Sequence, residues 1–101
     1  MTKNVISAID RHGKLIGYVS KFDIQSNICY VSASIDTCKM YNTLASARAV
    51  VRRRGNLSGI YKYNENRQLE SKYLPLSSDC SAFDRIHDLR GCRLLAQEID
   101  T

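Results

Sequence analysis

The sequence predicts an α+β fold: a small antiparallel sheet of four to five strands, one main helix packed on one face, and a second short C-terminal helix. Three observations lead there. Runs of β-branched and aromatic residues alternate with short polar turns through the first third of the chain. One segment, 44–54, switches to a helical period. β-type runs then return at 59–63 and 68–74, ahead of a helix-like pattern over 77–91. A sheet covered on one face by helices is the natural two-layer arrangement for that order. At 101 residues the chain has the size of one domain, 1–101.

The first element is Val5-Ile6-Ser7-Ala8-Ile9, joined to Leu15-Ile16-Gly17-Tyr18-Val19 through a polar loop containing His12 and Gly13. This reads as a hairpin, with Gly13 free to take the positive φ such loops need. Residues 28–35 form a third β-type run, approached by the polar segment 23–27. Asn42 or Thr43 then offers a side-chain oxygen to the free amides of a first helical turn. Leu44, Ala47 and Val51, widened by Val50, make one apolar stripe along that helix, and its alanines allow close packing on a sheet. Arg52–Arg54 sit in its last turn, where the helix dipole favours cations, and Gly55 is the expected stop. Gly59–Tyr63 and Gln68–Leu74 read as strands, with Pro75 ending the second. Ser77–Asp79 can cap a second helix bearing Phe83, Ile86 and Arg90 and ending at Gly91. The tail, 92–99, is compatible with a strand or a helical turn.

Hydrophobic residues are 44% of the chain and charged residues 25%, a globular balance that argues against wholesale disorder. No apolar run approaches the roughly 18 residues of a membrane-spanning helix. The first residues lack a signal-peptide core, so the expected location is the cytoplasm, with no membrane partner. Cys29, Cys38, Cys80 and Cys92 form no Cys-x-x-Cys pair, which leaves zinc and thioredoxin-type sites without support. Reduced thiols, packed or incidental, are expected, and neither metal nor cofactor is.

Catalysis needs converging groups, and the motifs that announce them are missing: no nucleophile elbow, no phosphate loop, no His-Glu-x-x-His. His12 falls in a hairpin tip. His87 stands beside Asp84 and Asp88, a spacing that also describes an ordinary surface pair on a helix. An enzyme is therefore not expected.

Charge is uneven. Residues 43–76 carry seven cations and two anions, whereas residues 77–101 carry three and five. Arg48 and Arg52 lie one helical turn apart, Arg53 and Arg54 extend them, and Tyr61, Lys62 and Tyr63 follow on the next strand. Arginine's planar fork suits phosphates and carboxylates, and tyrosine rings accept stacked bases or anchor a protein interface. The same arginines also complement the helix end, and alternating tyrosines also pack on sheets. The expected contact surface is Arg48, Arg52, Arg53, Arg54, Tyr61, Lys62 and Tyr63.

The order Ile9–Ser20, then Thr37-Cys38-Lys39-Met40-Tyr41-Asn42-Thr43-Leu44-Ala45-Ser46-Ala47-Arg48, resembles many small phage and mobile-element proteins. These present a hairpin, a short third strand, and an Ala-Lys-x-Tyr/Phe-x-Ser/Thr lead into an Ala/Arg-rich helix. Cys38 replaces the usual small residue before Lys39, and the likeness spans residues 5–63. Several anti-CRISPR proteins are similar in size and style. That resemblance implies a stoichiometric inhibitor acting on a host protein or ribonucleoprotein, a Cas effector complex above all, and it transfers no site residue. The alternative is a small basic module binding DNA or RNA directly, and dimerisation through a free sheet edge is a further expectation.

Overall fold

A computed structural model of the chain describes residues 2–10, 12–26, 28–54, 57, 59–63, 69–73 and 93–100. Its elements are β1 (Thr2–Ile9), β2 (Leu15–Asp23), β3 (Ile28–Ser32), a 3-10 turn (Ile35–Thr37), α1 (Leu44–Arg54), β4 (Gly59–Tyr63), β5 (Leu69–Tyr73) and β6 (Arg93–Asp100). The strands form one sheet in the order β5-β4-β3-β2-β1-β6.

The α+β class holds, but the sheet corrects the expectation in two ways. Among the described residues it has six strands, not four to five, and it is mixed, because β3 and β4 run parallel while the other described neighbours are antiparallel. The cause is the helix. A chain that leaves β3, passes through α1 and rejoins the sheet beside β3 has crossed over, and a crossover makes the two strands parallel. The sixth strand is the tail. β6 pairs with β1 over its full length, from Thr2↔Asp100 to Ile9↔Arg93, which brings the last described residues beside the first. The expected second helix over 77–91, with His87, Cys80 and Cys92 around it, lies outside the described residues.

The β1–β2 hairpin is set by Asp10. Its Oδ1 accepts the amides of His12 and Lys14, both at 2.8 Å. Gly13 takes φ +79° and donates to the Asp10 carbonyl at 3.0 Å, a turn closed by a glycine bulge. Three residues of ladder follow, from Ile9↔Leu15 to Ser7↔Tyr18. Where that ladder ends, residues 39–41 take the freed backbone groups. Lys39 N donates to Val19 O at 3.1 Å, beside the β2 irregularity between Val19 and Lys21. Tyr41 N donates to Asn4 O at 2.8 Å, and Asn4 Nδ2 donates to the carbonyls of Tyr41 and Asn42. The segment leading into α1 is thereby fixed against β1 and β2.

The core follows from the register. Ala8 stands opposite both Gly17 and Leu94, Val19 opposite Val31, and Cys29 beside Ile60, so their side chains share one face. With Ile6, Ile16 and Ala47 they form a single buried cluster. Ala47 is the buried residue of α1, and its small side chain lets the helix lie close over β1 and β6. On the opposite face, Val5 and Ser7 are also fully buried. The Ser7 hydroxyl is satisfied by Gln97 Oε1 at 2.5 Å, as a buried polar group must be.

Candidate anion-binding grooves beside the helix

Thr43 starts the helix. Its Oγ1 accepts the Ser46 amide at 3.1 Å, and its carbonyl accepts the Ala47 amide at 3.3 Å, which makes Thr43, of the two expected candidates, the cap. From that start the apolar stripe points inward: Ala47 is buried, and Leu44, Val50 and Val51 are half-buried. The 3.6-residue period then leaves Arg48, Arg52 and Arg53 exposed and Arg54 half-buried at the helix end.

These arginines divide between two flanks. Arg48 and Arg52 line a groove of about 580 Å³ between α1 and β6, with Ala45, Val51, Leu94, Leu95 and Ala96. Arg53 and Arg54 line a smaller one of about 290 Å³ on the β2 side, with Ser20, Lys21, Phe22, Ile24, Lys39, Tyr41 and Val50. Neither lining includes an Asp or Glu among the described residues. In the smaller groove the Lys39 ammonium lies 5.7 Å from the centre of the Tyr41 ring. Burial raises the Tyr41 phenol above its ordinary range, and the Arg53 charge acts in the opposite direction. Lys21 contributes to the rim while its ammonium rests 4.8 Å over the Tyr30 ring.

The tyrosines stand elsewhere. Tyr61 stacks on Tyr30 across the parallel β3–β4 pair, with centroids 5.4 Å apart and planes inclined by 26°. Strand alternation puts Lys62 on the other face, level with Val31 of the core and half-buried. Tyr63 closes β4 opposite Leu69. Of the seven expected contact residues, the four arginines thus occupy the two flanks of the helix end, Tyr61 and Lys62 opposite faces of β4, and Tyr63 its last position. Lys39, Tyr41, Phe22 and Lys21, which line the smaller groove, were not among them. Lys39 and Tyr41 belong to the Lys-x-Tyr lead into the helix, and that lead was the signal available for them.

The described thiols are both free. Cys29 is fully buried, and burial pushes its thiol up to about 12. Cys38 is half-buried, donates to Ile35 O at 3.1 Å, and is likewise raised by burial. A thiol so held is a poor nucleophile. Among the described residues no three His, Cys, Asp or Glu side chains group as a metal site, and no helix is long and apolar enough to cross a membrane.

In comparisons with known proteins, no family model, no curated protein and no solved structure matches this chain.

Proposed function

We propose that this protein is a non-catalytic binding module that docks on a phosphate-rich partner through the cationic end of α1. The supporting observation is the placement of Arg48 and Arg52 on one flank and Arg53 and Arg54 on the other, each pair in a groove that apolar side chains floor and that no Asp or Glu lines among the described residues. A helix C-terminus carries about half a negative charge, which by itself repels anions. Arg52, Arg53 and Arg54 in the last turn exceed it several-fold, so the local field is positive. In the form the anti-CRISPR likeness gives it, the partner is a Cas effector complex, and the contact is its guide-RNA phosphate.

The test is binding of the purified protein to a purified Cas ribonucleoprotein and to free RNA, at two salt concentrations. Arg48→Glu/Arg52→Glu and Arg53→Glu/Arg54→Glu variants are measured beside the parent chain. Attraction to phosphate predicts affinity that falls steeply with salt and at least tenfold with either charge reversal. Affinity that survives both reversals removes the helix end from the function.

A second reading, direct binding of single-stranded nucleic acid, draws on a different observation. The Tyr30–Tyr61 stack with Lys21 over it places rings and a cation side by side on the sheet. Rings beside cations are how single-stranded bases are commonly held. Binding to free RNA that Tyr30→Ala weakens, with no preference for the ribonucleoprotein, selects this reading.

A further inference from the structure

The larger groove runs along the helix and opens beside β6, whereas the smaller one has the dimensions and chemistry of a site for one small ligand. Its volume, about 290 Å³, is at the lower end of small-molecule pockets. Three cationic side chains line it together with Lys21: Lys39, Arg53 and Arg54. Its floor is Phe22, Tyr41 and Val50, which pack against the core and are half-buried. Ile24, 67% exposed, stands at its rim, an apolar side chain in water beside a cluster of positive charge.

The framework is also fixed before any ligand arrives. Lys39 is tied by its amide to Val19 O, Tyr41 by its amide to Asn4 O, and both arginines ride on a capped helix. Pre-positioned groups lose less conformational entropy on binding, so they bind more tightly than the same groups on a flexible loop.

Cations alone would suit any anion. Cations next to an exposed apolar and aromatic wall suit an anion joined to a flat, weakly polar ring. We propose that the groove lined by Phe22, Lys39, Tyr41, Arg53 and Arg54 binds a nucleotide, its phosphate held by Lys39, Arg53 and Arg54 and its base lying against Tyr41, Phe22 and Ile24. This deepens the reading of the helix end as a phosphate-binding surface and rests on it, but assigns one flank a discrete ligand. The phosphate can come from a free mononucleotide or from the terminus of a strand, and the two sources are separable.

The experiment is an amide chemical-shift titration of the full chain with three probes: uridine monophosphate, a 5′-phosphorylated RNA hexamer, and inorganic phosphate. The expected result is saturable shifts at Lys39, Tyr41, Arg53 and Arg54, with nucleotide binding at least tenfold tighter than inorganic phosphate. Lys39→Glu and Arg53→Glu, both exposed positions, each weaken it tenfold or more while the remaining spectrum stays folded. Tyr41→Leu weakens the nucleotide but not inorganic phosphate. Saturation by the mononucleotide assigns a free nucleotide, and saturation by the hexamer alone assigns a strand end. Equal affinity for nucleotide and inorganic phosphate overturns the role of the rings, and shifts confined to Arg48, Arg52 and Leu95 overturn the site. Continued salt-dependent binding of the ribonucleoprotein in that last case leaves the docking function standing, so the two failures are distinguishable.

Discussion

Replacing Gly17 with alanine tests the β2–β3 contact at a single atom. A Cβ at residue 17 would lie 2.8 Å from the Ser32 carbonyl oxygen and 3.1 and 3.2 Å from Val31 Cγ2 and Cβ. The first contact is closer than real Cβ atoms come, and it is with backbone, which cannot rotate away as a flexible side chain can. Relief requires β2 and β3 to part where Tyr18↔Ser32 and Val19↔Val31 pair, in the middle of the core. Overpacking of this kind costs about 1–3 kcal/mol. Alanine also restricts the unfolded chain, which returns about 0.4–1 kcal/mol. The net expectation is a loss of about 1–2 kcal/mol, or a fall in Tm of about 5–15 °C for a domain of this size. Thermal and urea unfolding followed by circular dichroism measure it, with the urea midpoint lowered and the slope m unchanged. Gly13 is the control. Its φ is +79° and nothing lies within 4 Å of an added Cβ, so Gly13→Asn, a residue that visits that conformation, should cost less than Gly17→Ala. A Gly17→Ala chain that melts within 2 °C (on the order of the measurement scatter) of the parent would refute the close approach of the strands.

Three other outcomes are expected. Thr43→Ala removes the acceptor of the Ser46 amide and should cost about 1 kcal/mol in urea unfolding, largely restored by Thr43→Asp. Hydrogen bonds from the Lys14 and His12 amides, together with the nearby positive charges, hold the Asp10 carboxyl below the usual carboxylate range. A depressed folded-state pKa means that this support is present above about pH 4 and is lost as pH falls further, so the protection of the His12 and Lys14 amides, measured as exchange relative to the intrinsic rate at each pH, should fall there, and should not do so in Asp10→Asn. With its thiol near 12, Cys29 is thiolate in only about one molecule in ten thousand at pH 8, so peptide mapping after iodoacetamide treatment should find it modified only in denaturant, and Cys38 modified earlier.

The local elements were readable because each depends on neighbours in the chain. The Leu44–Arg54 helix has its stripe, its cap and its terminal arginines within twelve residues, Thr43 to Arg54, and its bounds match those the pattern predicts. The Asp10–Lys14 hairpin needed only Gly13 and an acceptor side chain beside it. The third strand stops at Ser32, three residues before the end of its β-type run, because the backbone turns there and Thr37, Ser34 and Ser32 bond one another. The ambiguous tail became β6 because β1 offered it an edge, and no pattern within 92–99 carries that information.

From the sequence alone came the hairpin, the helix over 44–54 and the strand over 59–63, the α+β class and the presence of a basic, tyrosine-bearing middle, since composition and period act over one or two turns of chain. Pairing was decided in three dimensions. Whether β4 lies parallel to β3 depends on the path through α1, and whether Lys39 meets Arg53 depends on where the β1–β2 ladder gives out. The same folding sent Arg48 and Arg52 to one flank of the helix and Arg53 and Arg54 to the other, because one residue of helix turns a side chain through about 100° and the sheet beneath supplies different neighbours on each side.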